Sequence, residues 1–251
     1  MPIFKSFQFV YFIQSRNINL SCVLNKIVPN NLKGKSKSSQ EWLTRQLNDE
    51  YVIKSRYHGY RCRSAFKLLE IDKKYKILKP GLSVVDCGAA PGSWTQVVVN
   101  KLKLDQEPTD KLQKGIAIAV DLQLIQPIKG AIVLSESNFI LPETQEKIKS
   151  LLPSGEADVV LSDMAPKATG THDLDNTAII HLVYSALKFS IAVLKADGVF
   201  LCKVWDGSDV EKFYQTLQSL FTTVKRIKPK ASRCNSSEIF LIGIGYKKMN
   251  K

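Results

Sequence analysis

From Ser83 onward the chain alternates short, nearly continuous apolar runs with segments of helical spacing. SVVDC (83–87), GIAIAVD (115–121), AIVL (131–134), DVVLSD (158–163), GVFLCKVW (198–205), TVKRI (223–227) and EIFLIGIGY (238–246) have the length and β-branched content of strands. Strands that read as unbroken apolar runs are covered on both faces, and the helices between them supply that cover. The pattern therefore predicts an α/β domain built on a mostly parallel seven-stranded sheet. Only Lys228–Ser237 separates the last two runs, too little for a helical crossover, so the final strand is expected to return antiparallel. With 251 residues, 44% hydrophobic and 24% charged, the chain has enough apolar material for one such domain. Disordered, collagen-like and disulfide-framework chains are excluded.

The first 40 residues have a different composition. They contain no acid, six basic residues (Lys5, Arg16, Lys26, Lys33, Lys35, Lys37) and an apolar start at Phe4, Phe7, Phe9, Phe12 and Ile13. Such a segment reads as a mitochondrial transit peptide or as a basic arm that touches RNA. Gln8 and Gln14 interrupt the apolar part and no A-x-A site follows, which disfavours a secretory signal. Ser38-x-x-Glu41 reads as a capping box ahead of Trp42, Leu43 and Leu47. The expected division is a leader over 1–37 and a folded domain over 38–251. The longest run without a charge, Cys87–Asn100, is 14 positions and contains Gly, Pro and Asn, too short to span a bilayer, so the chain reads as soluble. Cys22, Cys62, Cys87, Cys202 and Cys234 form no C-x-x-C pair and have no histidine at ligand spacing. They read as free thiols, and no metal site is expected. His181 lies in an apolar stretch and reads as a core histidine, and Trp42 and Trp205 are assigned to the core as well.

The net charge of +13 attracts polyanions, nucleic acid foremost, although a solubilising surface would give the same total. Its distribution is more informative. Lys54, Arg56, Arg61, Arg63 and Lys67 interleave with Tyr57, Tyr60 and Phe66, and no acid occurs between Glu50 and Glu70. Basic residues meet phosphates and aromatic rings stack on bases, whereas a solvated helix face would mix in acids. A second acid-free stretch, Lys212–Arg233, carries Lys225, Arg226, Lys228, Lys230 and Arg233.

Three strand ends and one strand interior carry the candidate chemistry. Run 83–87 ends in Asp86 and enters Gly88-Ala89-Ala90-Pro91-Gly92-Ser93-Trp94, a small-residue loop opening a helix at the sheet edge where ligands of doubly wound folds bind. It is neither G-x-G-x-x-G nor G-K-[ST], so a dinucleotide site and a P-loop are disfavoured. Asp121 ends the next run, either accepting from ribose hydroxyls or capping a helix. Asp163 ends the fourth. Lys203 stands inside the apolar GVFLCKVW, where burial without a partner or a task would be costly.

Together these residues resemble the FtsJ-like ribosomal RNA 2′-O-methyltransferases, and most closely their mitochondrial members. The resemblance runs from about Ser38 to Lys247 through RCRSAFKLLEI (61–71), VVDCGAAPGSW (84–94), AVDL (119–122), LSDMAPKATGTHDLD (161–175), FLCKVWDGS (200–208) and KPKASRCNSSEIFLI (228–242). It implies a Rossmann-like class I methyltransferase fold, S-adenosylmethionine as methyl donor, and a catalytic tetrad at Lys67, Asp163, Lys203 and Glu238. In that set Lys203 is the base or the group that orients the ribose 2′-hydroxyl, provided Lys67 and desolvation depress its pKa. Asp163 is its partner, and Lys67 and Glu238 serve electrostatics and positioning.

For the donor the resemblance points to Gly88, Pro91, Gly92, Ser93, Trp94, Asp121, Asn138 and Asp163. Ser93 stands where bacterial members carry Gly, and Asn138 where they carry an Asp that accepts from adenine. Lys103–Lys114 looks inserted. For the acceptor, Lys54, Arg56, Arg61, Arg63, Lys230 and Arg233 are the expected RNA contacts, and 167–176 is the expected lid. The implied activity is methylation of a uridine ribose in mitochondrial large-subunit ribosomal RNA. The chain would act in the matrix as a monomer without a membrane span, on ribosomal RNA or a pre-ribosomal large subunit. Transfer RNA ribose methylation and an assembly role through RNA binding are the other readings.

Overall fold

A computed structural model describes residues 29, 32–106, 115–166, 169–234 and 236–248. Most of the leader, and residues 107–114 of the inserted-looking stretch, lie outside the described residues. The chain divides into two compact units, Met1–Asn48 and Asp49–Lys251. In the first, helix α1 spans Lys37–Leu47 and its N-cap is Ser36, whose Oγ accepts from the Ser39 amide. The cap is thus two residues earlier than the expected capping box at Ser38. Trp42, expected in the core, is 50% exposed on this helix.

The second unit begins with α2 (Glu50–Tyr57) and α3 (Ala65–Tyr75). Then follow β1 (Ser83–Cys87), α4 (Ser93–Leu102), β2 (Ile116–Val120), β3 (Ile132–Leu134), α5 (Pro142–Leu151) and β4 (Ala157–Ser162). The chain ends with α6 (His172–Val193), β5 (Leu194–Trp205), α7 (Ser208–Leu220), β6 (Phe221–Ile227) and β7 (Glu238–Tyr246). The seven strands form one sheet in the order β3-β2-β1-β4-β5-β7-β6. All neighbouring pairs are parallel except those of β7, which runs antiparallel between β5 and β6. The antiparallel return of the last strand agrees with its short connection. Its insertion between β5 and β6 does not follow from that connection, because a hairpin partner can sit on either side.

Alternation along the buried strands sends side chains to two cores. Val84, Ala117, Val159, Leu161, Leu201, Phe240 and Ile242 pack with α3 and α4 on one face. Val85, Ile118, Val160, Phe200, Cys202, Val204 and Leu241 pack with α5, α6 and α7 on the other. In α3 the buried positions Ala65, Leu68, Ile71 and Asp72 make the single stripe that a helix lying on a sheet requires. Helix α6 contains a stretch, Leu174–Val193, long and apolar enough by composition to cross a bilayer. Here Ile179, Val183, Ala186, Leu187 and Val193 are buried against the sheet, while Leu174, Tyr184 and Ile191 are exposed. His181 on the same helix is exposed, correcting its assignment to the core.

Where β7 runs between its two neighbours, Gly243 is paired with Phe200 on one side and Val224 on the other. A Cβ there would lie 2.6 Å from Cγ of Phe221, whose ring is fully buried. Gly243→Ala should therefore lower stability by about 1–3 kcal/mol through overpacking, read as a lower urea midpoint at unchanged slope.

Candidate active site

The carboxyl ends of β1, β2, β4 and β5 lie side by side because these strands are parallel and adjacent. The loop after β1 turns sharply at Gly88, with φ at 76°. A Cβ at that position would meet the Met164 backbone at 2.8 Å, so the two loops approach as closely as glycine allows. The Gly88 and Ala89 amides both donate to the Val120 carbonyl, which ties this loop to β2. Asp121 is not a helix cap here. Its Oδ2 accepts from the Ala90 amide at 2.9 Å and its Oδ1 from the Gln123 amide at 2.7 Å.

Between these loops lies a cavity of about 330 Å³. Gly88, Ala90, Asp121, Asn138, Asp163 and Lys203 line it together with apolar Val120, Leu122, Phe139, Ile140, Met164 and Leu182. A concave site of this size with a few convergent polar groups suits a small ligand. Of the expected donor-site residues, Gly88, Asp121, Asn138 and Asp163 face this cavity. Pro91, Gly92, Ser93 and Trp94 are not among its lining residues. Trp94 is buried and its Nε1 donates to the Ser64 carbonyl, while Ser93 accepts from the Cys62 thiol at 3.0 Å. The Asn138 side-chain oxygen accepts from the Ile140 amide at 3.1 Å, so one of its two acceptor sites closes a local turn.

The four tetrad candidates come together from four elements. Val159, Leu161, Leu201 and Phe240 share the sheet face of α3, and alternation places Lys203 on that face too. In the antiparallel pairing Lys203 lies opposite Phe240 and Trp205 opposite Glu238, so Glu238 also points to this side. The Lys203 ammonium donates to the Asp163 carbonyl at 2.6 Å and lies 2.8 Å from the Asp163 carboxylate. Lys67, on α3, donates to Glu238 at 2.7 Å. All four side chains are at least four-fifths buried, with exposures of 9% and 17% in the first pair and 13% and 12% in the second.

Two serines complete the arrangement and were not singled out in the sequence. Ser64 stands at the N-cap of α3 but makes no capping bond; its hydroxyl donates to Asp163 Oδ2 at 2.9 Å. The Ser232 hydroxyl donates to Glu238 Oε1 at 2.9 Å. Burial alone would raise the Asp163 carboxyl, but the ammonium groups of Lys203 and Lys67 and the bonds from Lys203 and Ser64 outweigh it, holding the group below the ordinary carboxylate range.

The expected RNA contacts divide by environment. Arg56 and Lys230 are exposed, and Lys54 is exposed while pairing with Glu50 at 2.8 Å. Tyr57 is 86% exposed, whereas Tyr60 and Phe66 pack edge to face. Arg61 is turned to the main chain. Its Nη1 donates to the carbonyls of Pro91 and Gln126 and its Nη2 to that of Pro127, stapling the loop after β1 to the segment after β2. Arg63 donates to Asp49 and to the Ala231 carbonyl. In the expected lid, His172–Asn176 form the first turn of α6, and Asp175 accepts from the Thr169 and Gly170 amides. Residues 167 and 168 lie outside the described residues.

Comparison with known proteins follows the same lines. The model of the FtsJ-like methyltransferase family matches residues 60–246. The chain is 46% identical over 219 residues to a Drosophila melanogaster protein named rRNA methyltransferase 2, mitochondrial, covering 87% of each. It is 40% identical to the ribosomal RNA large subunit methyltransferase E of Xanthobacter autotrophicus, over 86% of this chain and 82% of that one. A solved Plasmodium falciparum chain described as a ribosomal RNA methyltransferase superposes with a TM-score of 0.65 at 27% identity, over 74% of this chain and 98% of that one.

One buried carboxyl makes the stability of the domain sensitive to pH. Asp86, at the end of β1, accepts from the Thr95 hydroxyl at 2.6 Å through Oδ2, while its Oδ1 is buried without a partner among the described residues. Burial, helped by the charges of Asp163 and Asp121 and opposed by the Thr95 bond, pushes this carboxyl up to about 7. A raised acid binds more protons folded than unfolded between pH ~4 and about 7, so its contribution to stability is full at low pH and is lost across that window. Carbon-detected NMR should show Asp86 titrating near pH 7. Asp86→Asn should remove the matching part of the fall in melting temperature from pH 4 to 7.

Proposed function

The chain belongs to the FtsJ-like methyltransferase family, and from that premise we propose that it methylates the 2′-hydroxyl of a uridine ribose in mitochondrial large-subunit ribosomal RNA, using S-adenosylmethionine. The observation that carries this reading is that Lys203 and Asp163 face the cavity between the loops after β1, β2 and β4, with the Lys67–Glu238 pair near enough for the Lys67 ammonium to act on the Asp163 carboxyl. The similarity to proteins named as ribosomal RNA methyltransferases supports the substrate class. The name of the Drosophila relative and the acid-free composition of residues 1–37 support a mitochondrial leader ahead of a methyltransferase domain over 38–251, and action in the matrix. On this reading the protein works as a monomer on ribosomal RNA or the pre-ribosomal large subunit and contributes to its assembly.

The cavity fits the donor. Phe139, Val120, Leu122 and Ile140 offer apolar walls to a purine, the Asp121 carboxylate faces the space where ribose hydroxyls would need acceptors, and the Asn138 amide lies on the same wall. When bound, S-adenosylmethionine supplies a methyl carbon on a positively charged sulfur, open to in-line displacement. The protein's task is then to place and activate the hydroxyl. An ammonium has three N–H groups, and among the described residues the polar contacts of Lys203 are both to Asp163, which leaves its cavity side for the 2′-hydroxyl. Asp163, kept ionised by its neighbours, fixes the direction of that ammonium. Lys203 either orients the hydroxyl or, when it has lost a proton, takes the proton released as the new C–O bond forms. Lys67, fixed by Glu238, adds a second positive charge beside the developing alkoxide.

Ribose-methylation mapping of mitochondrial ribosomal RNA tests the reading. Depletion should erase one large-subunit 2′-O-methyl mark. Wild type should restore it, and Lys203→Ala should fail to, with turnover reduced by about 10²–10⁴-fold. An unchanged ribosomal map with a lost transfer RNA mark would reassign the substrate.

Arg61 gives a separate expectation. If its staple shapes the donor cavity, Arg61→Ala weakens S-adenosylhomocysteine binding about tenfold or more, in line with the loss of charge-assisted bonds. RNA affinity would change little, and calorimetry and fluorescence anisotropy would separate the two effects.

A further inference from the structure

A second recess has the Lys67–Glu238 pair in its wall. Arg63, Lys67, Ala231, Arg233, Ser236 and Glu238 line a space of about 230 Å³. It lies between α3 and the connection from β6 to β7. Glu70 holds that connection in place by accepting from the Lys230 and Ala231 amides.

The charges around the recess do not balance. Three cations, Arg63, Lys67 and Arg233, face two carboxylates, Glu238 and Asp49. Asp49 is the N-cap of α2, accepting from the Tyr51 and Val52 amides through Oδ1. Its other oxygen accepts from Arg63 Nη1 and lies 3.9 Å from Arg233 Nε. The second distance is too long for a hydrogen bond, so Arg233 is drawn there by charge alone. The Nε of Arg63 is buried and has no acceptor among the described residues. Two guanidinium groups therefore converge on one carboxylate that already serves a helix, and donors are left over.

A phosphodiester is the group that would use them. It carries one negative charge, matching the single positive excess, and its oxygens suit the fork of an arginine. The position is also suitable, because Lys67 and Glu238 belong both to this recess and to the tetrad. A nucleotide whose 2′-hydroxyl lies at Lys203 has a phosphate on the neighbouring 3′-oxygen, only a few bonds away.

Resting on the reading of the chain as an RNA methyltransferase, we propose that this recess seats the backbone phosphate adjoining the methylated ribose, with Asp49 holding Arg63 and Arg233 in readiness. Asp49 orders the two arginines and at the same time repels the phosphate, so it limits affinity.

The proposal predicts opposite effects for two substitutions. The probe is a short fluorescein-labelled polyuridylate, bound in a salt series with S-adenosylhomocysteine present, and melting temperatures are measured alongside. Arg233→Gln should weaken binding and reduce the slope of log affinity against log salt by about 0.7, the value for one phosphate on a single strand. Asp49→Asn keeps a good N-cap but removes the charge, and should tighten binding by about three- to tenfold at low salt. Lys147→Gln, an exposed lysine on α5, should leave the slope unchanged. If Arg233→Gln keeps the wild-type slope, or Lys147→Gln lowers it equally, the seat is overturned. So is it if a folded Asp49→Asn binds no tighter than wild type. A wild type that binds S-adenosylhomocysteine but no RNA overturns the RNA-methyltransferase reading as well, whereas a binding wild type with indifferent variants overturns the seat alone.

Discussion

An ammonium withdrawn from water at the end of an apolar strand costs several kcal/mol unless fixed charges and dipoles replace the solvent, and Lys203 is in that position. Asp163 supplies both replacements, its carbonyl and its carboxylate. It can do so only because β4 and β5 pair in a register that sets Ser162 beside Cys202, bringing the next residues of the two strands together. The Asp163 amide donates to the Cys87 carbonyl, which anchors the same turn to β1. Its second carboxylate oxygen takes the Ser64 hydroxyl, which fixes the start of α3 and hence the direction from which Lys67 arrives. A shift of register by one residue would turn Lys203 into the opposite core.

How much of this is readable from the chain depends on whether a residue's meaning is local. The strands lie where the apolar runs do, and Lys203 stands out because a charge in an apolar strand is anomalous wherever the strand ends up. Asp163 and Asp121 were found for the same kind of reason, as acids at strand ends. Ser64 and Ser232 carry no such mark, since a serine at a helix start or in a turn usually serves its own backbone. Only the folded chain shows that Ser64 leaves its capping role to bond Asp163, 99 positions away. Arg61 belonged by composition to a basic, aromatic segment, yet its guanidinium faces three main-chain carbonyls in the segments after β1 and β2. Composition reports charge and not orientation. The same gap explains Trp42 and His181, apolar by residue type or neighbourhood and exposed in the structure.

The positive charge of the chain and its chemistry occupy different places. Lys203, Lys67, Asp163 and Glu238 sum to zero, although the chain as a whole carries +13. A neutral, buried tetrad suits a site that must accept a positively charged donor beside a polyanionic acceptor, because a net charge of either sign would repel one of them. The surplus lies outward instead, at Arg56, Lys230 and the half-buried Arg233. There it acts over longer distances on the approach of RNA and is screened by salt. Lys67 marks the border between the two regimes. Its ammonium is balanced by Glu238 and contributes to the field at Asp163, and its side chain also walls the recess where Arg63 and Arg233 meet. On the proposed reading, positioning of the nucleotide and electrostatics at the reacting oxygen are coupled through one side chain on α3.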